Sequence, residues 1–75
     1  MSLFTKTQSH VSDQILNLRH KKGWTQQKLA DKLKTSRAQI TRLENPKQCK
    51  PSIQTLVKLA KIYKKKLIIK FVDRD

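Results

Sequence analysis

The chain has 75 residues, of which 18 are Lys or Arg and 5 are Asp or Glu, giving a formal charge of +13; 36% are apolar and one is Gly. That length allows one domain and excludes the two-lobed crevice of most enzymes, and a core of this size gives only about 3–5 kcal/mol before like-charge repulsion is subtracted. One Cys excludes an internal disulfide, and the longest apolar run, Leu67-Ile68-Ile69, falls far short of the ~18 residues of a membrane span.

Residues 1–8 show no period and read as an N-terminal arm. A helix is expected to begin at Ser9 or Ser12, with Val11, Ile15 and Leu18 recurring at i, i+4 and i+7 and Asp13 in the first turn, where the helix dipole favours an acid. Arg19, Lys21 and Lys22 occupy the last turn, and Gly23 is the stop. Trp24 precedes Thr25, an N-cap for a second helix that turns Leu29 and Leu33 inward with Ala30 beside them. After a break at Lys34-Thr35, Ser36 opens a third helix, and Gln39 three places on completes a capping box. This helix buries Ile40 and Leu43 and must stop at Asn45, because Pro46 disfavours the α conformation in the residue before it. Pro51-Ser52 caps a fourth helix, with Ile53, Leu56, Val57, Leu59, Ala60 and Tyr63 on an apolar stripe and Lys64-Lys65-Lys66 at its end. The tail Leu67-Ile68-Ile69-Lys70-Phe71-Val72 is β-branched and aromatic, and reads as a strand with Leu67, Ile69 and Phe71 on one face.

The second and third helices form a compact pair, in which Ala30 permits a close crossing and Ile40 packs into it. Placed at about 100° per residue, Arg37, Ala38, Thr41 and Arg42 lie opposite Ile40 and Leu43, with Gln39 at the margin. Two guanidiniums, a hydroxyl and a methyl are the equipment for reading base edges in a major groove. The bland alternative is a solvated basic face on a small bundle; the overall charge favours the nucleic-acid reading. Lys58, Lys61 and Lys64–Lys66 read as a solvated face.

Trp24-Thr25-Gln26-Gln27-Lys28-Leu29-Ala30-Asp31-Lys32-Leu33, then Ser36-Arg37-Ala38-Gln39-Ile40-Thr41-Arg42-Leu43-Glu44-Asn45, then Pro51-Ser52-Ile53-Gln54-Thr55-Leu56 resembles the Cro/repressor (Xre) helix-turn-helix family, over residues 11–63. The resemblance implies an all-α, four-helix, lambda-repressor-like domain that binds operator DNA as a dimer. It implies that Gln26 contacts a phosphate and braces the residue at position 37. It also puts Arg37, Ala38 and Arg42 in the base-contacting positions, in agreement with the helical wheel. Gln39 and Thr41 complete the base-contacting set. Gln26, Lys28, Ser36, Asn45, Lys47 and Lys50 are the phosphate-contacting candidates. Two departures stand out. Lys34 occupies the place where the family usually has Gly, so Lys34→Gly is expected to raise the melting temperature. Asn45-Pro46 replaces a frequent Asn-Gly, which stiffens the following loop.

A lone strand leaves its backbone groups unpaired. Leu3-Phe4-Thr5 is a weak internal partner; the better one is the same strand of a second copy, antiparallel about a two-fold axis. Helix four would bring Leu59 or Tyr63 to that interface beside Leu67, Ile69 and Phe71. The expected organisation is therefore an arm (1–8), a helix-turn-helix domain (9–66) and a C-terminal β-strand that pairs across a homodimer (67–75). Two recognition helices would then sit about one DNA turn (~34 Å) apart and match a palindromic operator.

Gly23-Trp24-Thr25-Gln26, Glu44-Asn45 and the terminal strand in place of a fifth helix resemble the HipB-type antitoxins. These repress their own operon and bind a HipA-type serine/threonine kinase toxin. Such antitoxins can carry a tail beyond the strand, whereas this sequence ends at Asp73-Arg74-Asp75, so the resemblance implies no toxin contact through a tail. The leading expectation is a DNA-binding repressor of the antitoxin kind, cytoplasmic, with no cofactor. The alternatives are a phage-type or stand-alone repressor without a toxin, and a toxin-inhibiting interaction module whose DNA binding is secondary. An RNA-binding role lacks outward aromatic residues for base stacking, because Trp24 and Tyr63 are accounted for by core packing. The sequence has no paired carboxylates, nucleophile elbow or phosphate-gripping glycine loop, and catalysis is not expected. His10, His20 and Cys49 lack metal-ligand spacing, and Cys49 reads as a bystander.

Overall fold

The computed structural model describes residues 2–74. They form four helices: α1 (Leu3–Lys22), α2 (Gln26–Leu33), α3 (Arg37–Leu43) and α4 (Ile53–Ile62). Every helix starts on a hydroxyl residue. Ser2, Thr25, Ser36 and Ser52 accept the backbone N–H of Thr5, Lys28, Gln39 and Thr55 at 3.2, 3.0, 3.1 and 3.1 Å, each cap contributing about 1 kcal/mol. The box expected at Ser36 is half formed, because the Gln39 side chain accepts from Arg42 Nη1 at 3.2 Å and does not turn back on the cap.

Three helix ends share one geometry. Gly23, Lys34 and Lys64 adopt left-handed conformations with φ of 68°, 58° and 54°. After each, the next amide reaches back five residues: Trp24 to Arg19, Thr35 to Ala30, and Lys65 to Ala60, at 3.2, 2.9 and 2.8 Å. Only the first has the residue that this backbone favours; each lysine pays roughly 1 kcal/mol for its Cβ. Ahead of Pro46, α3 stops as expected, and Asn45 Oδ1 then accepts the Lys47 amide at 2.9 Å to start the α3–α4 loop.

The core gathers Ile15 of α1, Leu29, Ala30 and Leu33 of α2, Ile40 and Leu43 of α3, Cys49 of the loop, Leu59 of α4 and Tyr63 at its C-cap. Leu29, Ile40 and Leu43 are almost wholly buried, each worth about 1.5–3 kcal/mol by transfer from water. Fully buried Ala30 lies at the crossing of α2 and α3, where a larger side chain would force the helices apart.

Four expectations are corrected. The first helix starts at Leu3, not at Ser9 or Ser12, so residues 3–8 of the expected arm are helical. Its first inward positions are polar and therefore invisible to an apolar period: Gln8 is buried and donates from Nε2 to the Cys49 carbonyl at 3.1 Å, and buried Ser12 bonds the Ser9 carbonyl at 3.0 Å. Leu3-Phe4-Thr5 lies in this helix and is no strand partner. Among the described residues there is no strand, since pairing needs a neighbour that this single chain lacks; Ile68, Ile69, Phe71 and Val72 are exposed. Finally, Leu59 and Tyr63 are 4% and 5% exposed. They serve the core of their own chain and are withdrawn from the dimer interface. Met1 and Asp75, the outer ends of the expected arm and strand segments, lie outside the described residues.

Candidate nucleic-acid interface

Helix α3 is short and amphipathic, and its two sides are separated as the helical wheel requires. Ile40 and Leu43 face the core, while Arg37, Ala38, Thr41 and Arg42 are exposed and Gln39 is half-buried at the margin. The outward face thus carries both guanidiniums of the helix, with Ala38 between them. Arg42 is steadied within α3 by its bond to Gln39.

Arg37 is steadied from α2. Gln26, the first residue of α2, holds its Oε1 3.5 Å from Arg37 Nε and 3.3 Å from the Thr41 hydroxyl. Its Nε2 donates to Glu44 Oε1 at 3.0 Å. The polarity of this amide is fixed by chemistry: a carboxylate only accepts, so the NH2 must face Glu44 and the carbonyl must face Arg37 and Thr41. With Nε engaged, Arg37 has its two terminal nitrogens left for a partner. The brace implied by the family resemblance is thus present in the geometry.

Glu44 is in turn held by Arg19 of α1. Arg19 Nε donates to Glu44 Oε2 at 2.6 Å and Nη2 to Oε1 at 2.9 Å, while Nη1 donates to the Trp24 carbonyl at 2.8 Å. The hydrogen bond that Arg19 donates to Glu44 raises the Arg19 pKa above its usual range against the opposing effect of burial. A chain of contacts therefore runs from Arg19 through Glu44 and Gln26 to the outward residues of α3. From the sequence Arg19 is expected only as a helix-end cation, and Glu44 has no expected role. The one available signal was the scarcity of acids: Glu44 is the only one between Asp31 and Asp73.

The remaining phosphate candidates are spread over three places. Ser36 is exposed at the start of α3, and Lys47 is exposed in the loop. Half-buried Asn45 bonds the Lys47 amide and, from Nδ2, Gln48 Oε1 at 3.3 Å, so it shapes the loop that carries Lys47. Two lysines make other contacts. Lys28 Nζ lies 5.4 Å from the centroid of the Trp24 ring, beside Lys32 Nζ at 4.8 Å, and Trp24 itself stacks on Tyr63 at 5.3 Å with 22° between the planes. Lys50 Nζ is 6.0 Å from the Phe4 ring of α1.

Among the described residues no three His, Cys, Asp or Glu side chains gather to hold a metal ion, and no helix is long and apolar enough to cross a membrane. A protein-family model described as helix-turn-helix matches residues 15–69, a span that takes in α2, α3, α4 and the second part of α1. No curated protein and no solved structure matches the chain.

Proposed function

The chain belongs to the helix-turn-helix family of DNA-binding regulators, and we propose that it is a repressor that binds a palindromic operator as a homodimer. The observation that carries this reading is the outward face of α3, on which Arg37 is braced by Gln26 and Arg42 by Gln39. Pre-positioned guanidiniums suit guanine, whose O6 and N7 accept a bidentate pair, and the Ala38 methyl suits a thymine methyl; each well-placed contact is worth ~1–3 kcal/mol of discrimination. Gln39 and Thr41 complete the base-reading set. Gln26, Ser36, Asn45, Lys47 and Lys50 engage the backbone, and Lys28 joins them by leaving Trp24.

The homodimer is supported by the exposed apolar residues at the C-terminal end. Leu67, Ile69 and Phe71 are 37%, 57% and 103% exposed, and among the described residues their backbone pairs with no strand. Antiparallel pairing with a second copy covers that surface and supplies the missing hydrogen bonds.

Footprinting on the chain's own promoter at low salt is the direct test. A protected palindrome with two half-sites is the expected result, and the absence of any protected site overturns the proposal. With ~6–10 phosphate contacts per dimer, affinity falls ~10³–10⁵-fold between 50 and 200 mM salt.

A narrower role as a HipB-type antitoxin, autoregulating its operon and binding a HipA-type serine/threonine kinase, is supported by Gly23-Trp24-Thr25-Gln26 and Glu44-Asn45. Replacing Arg37 and Arg42 with Ala separates the two activities: operator binding collapses while kinase binding survives. Failure to bind a HipA-type kinase encoded beside it leaves a stand-alone repressor. Kinase inhibition without operator binding leaves an interaction module.

A further inference from the structure

We propose that a pocket between the α2–α3 turn and α4 is a second DNA-backbone site, in which Lys34 and Lys58 grip one phosphodiester; this rests on the DNA-binding reading above. The pocket has a volume of about 200 Å³ and is lined by Leu33, Lys34, Thr35, Gln39, Thr55 and Lys58. Its lining offers two cationic side chains, two hydroxyls and one amide, and contains no acid. That donor-rich composition suits an anion with several acceptor oxygens. Thr55 and Lys58 stand one turn apart on α4, so both are presented on the same side of that helix.

Lys34 is the second, independent observation. It holds φ at 58°, where glycine is the unstrained residue. The turn itself is built from backbone: the Lys34 amide bonds the Asp31 carbonyl at 3.2 Å and the Thr35 amide bonds the Ala30 carbonyl at 2.9 Å. Neither bond uses the lysine side chain. Lys64 shares this backbone, so the strain alone does not call for a ligand; Lys34 is distinguished by a side chain that its own turn leaves unused and that lines the pocket.

The position of the pocket fits the groove. Gln26 meets α3 at Arg37 and Thr41, and the pocket meets α3 at Gln39, on the other flank of the helix, with Ala38 and Arg42 between. A helix lying in a major groove about 12 Å wide has a phosphate backbone on each side. Gln26 addresses one strand, and Lys34 with Lys58 addresses the other. Lys58 thereby leaves the solvated lysine face of α4 and acquires a role.

The test uses the full chain with a duplex of its own promoter, following affinity by fluorescence anisotropy across a salt series and stability by thermal melting. Lys34→Gly is expected to raise Tm by about 4–8 °C while weakening binding and reducing the salt slope by about 0.9 per protomer. Lys58→Gln is expected to reduce the slope equally without raising Tm, and Lys61→Gln, exposed on the same helix outside the pocket, to leave it nearly unchanged. Lys34→Gly with a higher Tm and wild-type binding overturns the proposal, because the lysine is then only strain. An equal loss from Lys61→Gln also overturns it, because the effect is then general charge. Failure of the wild-type chain to bind duplex DNA is a separate result, which removes the DNA-binding reading itself.

Discussion

Arg19 and Glu44 meet in a two-bond fork, Nε to Oε2 at 2.6 Å and Nη2 to Oε1 at 2.9 Å, with side chains only 11% and 5% exposed. The pair joins α1 to the end of α3. Removing one partner leaves the other charge without its fork at a part-buried place, which costs about 1–3 kcal/mol, a large share of what a domain of this size has to lose. Glu44→Ala is therefore expected to melt well below the wild-type chain by circular dichroism. Arg19→Met combined with Glu44→Leu is expected to melt above either single variant. A Glu44→Ala protein with wild-type melting would show that the fork contributes nothing.

Lys64 carries a left-handed φ of 54° just beyond α4, and its turn is closed by backbone bonds from Lys64 to Lys61 and from Lys65 to Ala60. Lys64→Gly relieves the Cβ and is expected to stabilise by about 1 kcal/mol, raising Tm by roughly 4–8 °C. A lower Tm would mean that glycine's extra freedom in the unfolded chain outweighs the relief.

The Tyr63 hydroxyl is buried and makes no hydrogen bond among the described residues. An unsatisfied buried polar group costs about 1–3 kcal/mol, whereas the stack on Trp24 needs only the ring. Tyr63→Phe is expected to match or exceed the wild-type denaturant midpoint. A clear drop would reveal a partner for the hydroxyl.

Stability is expected to fall in alkali. Burial pushes the Cys49 thiol up from its ordinary 9.0 and the Tyr63 phenol up from 10.0, the latter helped by the Glu44 charge and opposed by Arg19. Both groups release their protons more readily in the unfolded chain, so their contribution is complete below pH 9 and is lost as pH rises through their raised native values. Urea midpoints measured from pH 8 upward should decline, and Cys49→Ala should remove the earlier part of the decline. A flat profile for the wild-type chain would contradict the burial of both groups.

The apolar C-terminal segment gives a separate expectation. Deleting residues 67–75 should yield monomers in sedimentation with a folded helical domain, since among the described residues none beyond Tyr63 belongs to the buried core. Operator affinity should fall with the loss of the second half-site. A dimer that survives the deletion places the interface elsewhere.

What the sequence disclosed was what neighbouring residues decide among themselves. Thr25, Ser36 and Ser52 declare their helices because a cap bonds an amide three residues away, and Ile40 and Leu43 fix the inward side of α3 by spacing alone. The start of α1 stayed hidden because its inward positions Gln8 and Ser12 are polar, satisfied by partners that no periodicity counts. The apolar residues of α4 did not reveal which of them meet their own core. Leu59 and Tyr63 do, while Ile53 at 62% and Val57 at 38% face outward. At the interface, the outward set of α3 and its Gln26 brace were legible, whereas the pair behind them was not: Arg19 and Glu44 are 25 residues apart, and only the tertiary fold brings them together.

The one-way amide of Gln26 restricts how this protein and its target sequence can diverge together. A residue at position 37 that presents a donor to the Gln26 carbonyl is accommodated, whereas Asp or Glu there would set acceptor against acceptor. Evolution toward a cytosine-reading acid at that place therefore requires Gln26 to change first or at the same time, and Glu44 allows few replacements that still offer it a proton. New operators are reached most easily through position 42, which answers only to its own helix.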